Sequence, residues 1–155
     1  MRRGERGVTY LELVVTVGIV AILASAVLPL GRVTVKRQKE LELRRALRTI
    51  RMAIDRYHDM KERGELGTAE LGDEFYPQDL ELLVEGETPT GAVDTKKKVK
   101  FLRRIPKDPF TGDTDWGKHC YEDRAESRSW CRDNVWDVYS KSGGTGLDGT
   151  PYAEW

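Results

Sequence analysis

The longest pattern in the chain is an apolar run from Leu13 to Leu30, with Thr16 and Ser25 as its only polar members. At about 1.5 Å rise per residue, a helix of that run covers roughly 27 Å, close to the hydrocarbon core of a bilayer. Beyond it the pattern changes. Leu43, Leu47, Ile50, Ile54 and Tyr57 follow a four-three-four-three spacing that places them on one helix face, and Ala46 and Ala53 widen the stripe. Arg45, Arg48, Arg51, Asp55 and Arg56 occupy the other face, which is expected to be solvated. Gly64 is a natural stop. Together these features predict one helix from about Thr9 to about Arg63, roughly 80 Å long. Pro29 has no amide proton to give to the helix ladder, and Gly31 weakens the same stretch, so a kink or local melting is expected there.

After Gly64 the chain turns polar. Tyr76-Pro77-Gln78-Asp79 followed by Leu80-Glu81-Leu82-Leu83 reads as a turn into a short helix. Residues 86–100 carry Gly, Pro, Thr and the run Lys96-Lys97-Lys98, and predict an exposed loop. Phe101, Leu102 and Ile105 return to the core. Pro106, Pro109 and Gly112 then predict an extended segment and a turn, followed by Trp116-Gly117. The last third reads as short strands and loops, with Trp136, Val138 and Tyr139 in a strand and a glycine-dense loop of positive-φ positions from Lys141 to Gly149.

The N-terminus adds chemistry. Arg2, Arg3 and Arg6 form a short basic leader ending at Gly7, and Glu12 stands at the head of the apolar run. A secretory signal peptide also begins basic and apolar, and Ala24-Ser25-Ala26 imitates its cleavage site, but this run is longer and holds a carboxylate, which favours a retained anchor. Arg32, Lys36, Arg37 and Lys39 balance the leader across the span, so basic residues do not choose an orientation. A carboxylate in hydrocarbon costs several kcal/mol, on the order of 3, unless it is paired. A cut after Gly7, which the resemblance of this segment, Gly7-Val8-Thr9-Tyr10-Leu11-Glu12, to type IV pilins implies, would create an amine at Val8. In a bundle of parallel, staggered helices, Glu12 of one subunit can meet that amine on a neighbour. Such a pair sets register more than strength.

The chain has 26 basic and 26 acidic residues, and removing residues 1–7 leaves 23 basic and 25 acidic, so the basic excess of a nucleic-acid binder is missing. Cys120 and Cys131 do not have zinc-site spacing with the two histidines. They read as a disulfide in an oxidising compartment, with free thiols as the alternative, and a bridge would mean that the C-terminal part is exported. No nucleophile, base or phosphate loop stands in a known catalytic arrangement, so the expectation is a protein that is not an enzyme. A membrane-anchored periplasmic enzyme is the remote alternative.

Gly7-Val8-Thr9-Tyr10-Leu11-Glu12-Leu13-Val14-Val15 resembles the processing site of type IV pilins and of the pseudopilins of type II secretion. The resemblance covers about the first thirty residues. It implies removal of residues 1–7 by the prepilin peptidase, with a cut between Gly7 and Val8 and methylation of Val8. The family usually has phenylalanine at that position. Glu12 falls at the family's assembly glutamate and Pro29 at its helix-bending proline. The implied fold is α+β, a pilin fold, with the filament-core and transmembrane helix over 8–31 and a periplasmic globular domain over 32–155. Pro106-Lys107-Asp108-Pro109 and Trp116-Gly117 resemble the segment that precedes the small antiparallel sheet of major pseudopilins. Asp137, Ser140 and Asp148-Gly149 match the order of their calcium-binding segment, in a longer loop; a glycine-rich turn whose aspartates cap backbone amides is the alternative. The implied function is that of a pseudopilus subunit in the bacterial inner membrane. Its implied partners are further copies of itself, other pseudopilins, an inner-membrane assembly platform and the peptidase, with no nucleic acid. A type IV pilus subunit and a minor pseudopilin are the alternatives.

Overall fold

The structure is a computed structural model of the 155-residue chain. It describes residues 7–155 except 68–73, 93, 95, 125, 126 and 128, and the side chains of 26–30 are also outside the description. In chain order the elements are helix α1 (Tyr10–Glu62), helix α2 (Leu80–Glu85), strand β1 (Gly117–His119), strand β2 (Asp137–Tyr139) and a closing 3-10 turn (Tyr152–Glu154). The architecture is α+β. The chain divides into two compact units, Met1–Gln38 and Lys39–Trp155.

The first unit holds the N-terminal part of α1. Residues 7–25 are all exposed, including Leu11, Val14, Val17, Ile19, Ile22 and Leu23. Among the described residues no helix is long and apolar enough to cross a membrane. The described part of the expected span stops at Ser25, and thirteen residues from Leu13 reach only about 20 Å. The side chains of its remainder, 26–30, lie outside the description, but the backbone there is helical: α1 runs unbroken past Pro29 and Gly31, so the local melting expected there is not seen.

The second unit is organised by the amphipathic half of α1. Leu43, Leu47, Ile50, Ile54 and Tyr57 are all buried, as their spacing predicts. They meet Leu66, Leu80, Leu83, Leu102, Trp116, Val135, Val138 and Tyr152 in one core. Full burial of an aliphatic or aromatic side chain contributes about 1.5 to 3 kcal/mol, so the stripe and the side chains it meets both contribute substantially to the unit's stability. The helix ends in a Schellman motif: the Gly64 amide donates to the Lys61 carbonyl (2.9 Å) and the Glu65 amide to the Met60 carbonyl (2.9 Å). Gly64 has φ +70°, the left-handed value that motif requires.

Helix α2 forms where Asp79 caps it: its carboxylate accepts from the Leu80 amide at 2.7 Å, and Leu80 and Leu83 face the core. The segment after it bends back, and Glu87 and Val99 form an antiparallel bridge. The lysines at 96–98 are exposed, as expected of that loop. Strands β1 and β2 pair antiparallel with Lys118 opposite Val138, forming a two-stranded sheet. The expected disulfide is present: Cys120 and Cys131 are joined with a Cα–Cα distance of 6.1 Å.

The solvated face of α1 needs one correction. Arg45, Arg48, Asp55 and Arg56 are exposed, but Arg51 is half-buried and bonded. Its guanidinium donates to both Asp137 carboxylate oxygens (2.6 and 3.2 Å), to the Val138 carbonyl (3.1 Å) and to the Trp155 carbonyl (2.8 Å). A planar fork of donors suits this bidentate contact. It joins α1 to β2 and to the final turn. The glycine-dense loop needs a second correction: of Gly143, Gly144, Gly146 and Gly149, only Gly149 has positive φ. Gly146 is required for space, since a Cβ there would lie 2.5 Å from an Asp148 oxygen and 2.7 Å from the Trp155 ring.

Candidate functional site

In the first unit the candidate site is the start of α1. Gly7, Val8 and Thr9 precede the helix and are exposed, and nothing lies within 4 Å of a Cβ built on Gly7. The Gly7–Val8 peptide bond is therefore in accessible, non-helical chain, the state a peptidase needs for its substrate. Thr9 starts the helix: its carbonyl accepts from the Leu13 amide at 3.0 Å, and its hydroxyl accepts from the Glu12 amide at 3.3 Å. Thr9-Tyr10-Leu11-Glu12 thus has the spacing of a capping box, with the acid at the third helical position. A carboxylate in the first turn also faces the positive end of the helix dipole. Glu12 is exposed there, with the apolar residues Leu11, Leu13 and Val15 beside it on its own helix. The four-residue signal for this cap was legible in the sequence beside the assembly role.

In the second unit the three residues matched to a calcium segment have separate engagements. Asp137 is held by Arg51, and its carboxylate also accepts from the Val138 amide at 2.7 Å. The buried Ser140 hydroxyl donates to Asp108. Asp148 accepts from the Thr150 amide at 3.0 Å and lies 3.5 Å from Arg44. That amide, first among the causes, and Arg44 after it hold the Asp148 carboxyl below its usual range. Two of these three carboxylate and hydroxyl groups act as local caps and turns, and the third neutralises an arginine. A cation there would compete with Arg51 for Asp137, whereas the Ser140 hydroxyl, which donates to Asp108, keeps lone pairs to offer.

Three further polar groups escaped the sequence reading. Asp108, in the Pro106–Pro109 segment, is buried and accepts from the Phe110 amide at 2.7 Å as well as from Ser140. Glu40 is buried and accepts from the Leu147 amide (2.8 Å) and the Tyr152 hydroxyl (3.1 Å), tying the glycine-dense loop to α1. Burial, and after it this bond to Glu40, pushes the Tyr152 phenol up to about 12. Lys61 is buried against Glu87 at 2.8 Å, and Glu87 also accepts from Tyr57 at 2.6 Å. A signal for two of these existed. Glu40 and Lys61 continue the apolar stripe itself, at positions 40, 43, 47, 50, 54, 57 and 61. A charged residue in phase with a buried stripe must find a partner, and both do.

The disulfide stands beside a half-buried cluster of rings that opens to solvent at Tyr121. Lys118 pairs with Asp79 and lies 4.3 Å over the Trp130 ring. His58 stacks on Tyr76 at 4.4 Å, and Tyr76 stacks on Tyr121 at 5.7 Å. No family model, no curated protein and no solved structure matches this chain.

Proposed function

We propose that the chain is a filament subunit of the type IV pilin-like class, a major pseudopilin of a type II secretion system with a pilin fold. The observation that supports this reading best is the apolar start of α1, exposed on every side and carrying a single carboxylate in its first turn. A helix that is apolar all round needs cover from lipid or from other helices. The run Leu13 to Leu30 supplies the anchor in this reading. The waiting subunit sits in the inner membrane with residues 32–155 in the periplasm, where the Cys120–Cys131 bridge is at home. Drawing about twenty apolar residues into water costs tens of kcal/mol, so an energised assembly platform must lift the subunit out. In the filament the anchor helices cover one another, and the growing fibre pushes exported proteins outward.

Processing tests this reading. Co-expressed with a prepilin peptidase, the chain should lose residues 1–7 and gain one methyl group on Val8. Intact-mass and N-terminal fragment measurements read both changes. A chain that keeps residues 1–7 beside an active peptidase, or is cut after Ala26, would defeat it.

A further inference from the structure

The last turns of α1 bring an imidazole and two carboxylates near one another. His58 and Glu62 are four residues apart and Asp59 and Glu62 three apart, the two spacings that bring helical side chains together. One ligand atom from each of His58, Asp59 and Glu62 lies within 4.8 Å of the others. Three donors around a zinc-sized ion, at bonds of about 2.0 to 2.2 Å, sit roughly 3.4 Å apart. Closing the difference takes at most about 1.4 Å, within reach of the exposed Asp59 and Glu62 side chains.

Two features separate this set from an ordinary solvated helix end. The imidazole is held in place: His58 lies against Tyr76 at 4.4 Å with its edge toward Phe75 at 6.3 Å. The carboxylates are in the wrong place for a helix without a counter-ion. Asp59 and Glu62 fall in the final turns, where the dipole is negative and acids are unfavourable. The nearest basic member of that turn, Lys61, is bonded to Glu87 on the buried side. Neighbouring acids are matched, Glu65 by Arg63 and Glu74 by Asn134. Among the described residues, the side chains of His58, Asp59 and Glu62 make no hydrogen bond or ion pair.

We infer that His58, Asp59 and Glu62 form a surface site for a divalent first-row transition metal of the zinc type. One nitrogen and two carboxylate oxygens favour such an ion over calcium, which takes six to eight oxygens. Three protein ligands leave at least one position open to water or to a donor from outside the chain. The site is separate from Asp137, Ser140 and Asp148, and it does not depend on the filament reading.

Zinc alone, titrated into the full-length chain in detergent against a chromophoric chelator, tests the inference. One equivalent should bind. Glu62→Gln, which leaves the His58 stack in place, should weaken binding at least tenfold, and His58→Ala should do the same. The exposed control Glu85→Gln should leave the affinity unchanged. Cobalt in place of zinc should give a visible absorption band in the wild type that is lost in His58→Ala. An unchanged affinity in either ligand variant, or no saturable zinc binding by the wild type, overturns the site.

Discussion

At the scale of single residues, the described buried polar side chains of the second unit nearly all find polar partners, the His119 Nδ1 atom being the exception, and Tyr152 shows what such a partner does to a titration. Its ring is buried and its hydroxyl donates to Glu40, so ionising it in the fold would put an anion beside a carboxylate without water. Burial, then Glu40, raises the phenol from its ordinary 10 to about 12. A raised value means that the folded state holds its proton longer than the unfolded chain. Stability from this group is complete below pH 10 and is lost as pH climbs toward 12. The loss amounts to about 2 to 3 kcal/mol. Tyr152→Phe removes the ionisation and one hydrogen bond, so it should lower stability at pH 7 by about 1 kcal/mol. Denaturant unfolding at pH 8 and pH 11.5 reads the result: wild type and variant should converge or cross at the higher pH. A constant gap at both would show that Tyr152 does not titrate with the fold.

At the scale of elements, the length of α1, its buried stripe and its stop were legible because each rests on local rules. Periodicity picked Leu43 to Tyr57, and Gly64 marked the end. Arg51 was not legible. Its role depends on Asp137 and Trp155, which lie about a hundred residues or nearly so along the chain, and no local pattern announces so distant a pairing. Asp108 was hidden for the same reason, since Ser140 completes it from β2's far end. Glycines that end the two helices give a sharp test of this distinction between local and distant causes. Gly64 and Gly86 share a positive φ, +70° and +79°, but Gly86 has ψ 163°, a region open to little besides glycine. Nothing lies within 4 Å of a Cβ at Gly64, whereas one at Gly86 would meet the Val99 carbonyl oxygen at 2.4 Å. Gly64→Ala should therefore cost only the conformational strain, about 1 kcal/mol. Gly86→Ala should cost more strain than that and also push apart the Glu87–Val99 bridge, for about 3 kcal/mol or more in all. Equal losses in thermal melts of the two variants would show that the bridge yields freely.

At the scale of the whole molecule, the N-terminal motif was readable but ambiguous, because one short stretch satisfies two physical demands. Thr9-Tyr10-Leu11-Glu12 is a helix start by its hydrogen bond, and Glu12 is also a lone carboxylate on an apolar surface. The two roles separate under substitution. Gln at the third helical position serves a capping box as Glu does, so Glu12→Gln keeps the helix start but removes the charge. Glu12→Leu removes both. If Glu12 serves only the cap, Glu12→Gln subunits behave as wild type and Glu12→Leu costs about 1 kcal/mol of local helix stability. If Glu12 pairs with the amine of a neighbouring Val8, both substitutions leave that amine without its anion in an apolar surrounding, a penalty of about 3 to 5 kcal/mol per contact. Repeated along a fibre, a loss of that size stops assembly. Both variants should then be processed and stay in the membrane but fail to polymerise, as read by shear fractions and electron microscopy. Filaments of Glu12→Gln at wild-type amount and spacing would reduce Glu12 to a helix cap and remove the charge pair from the assembly mechanism.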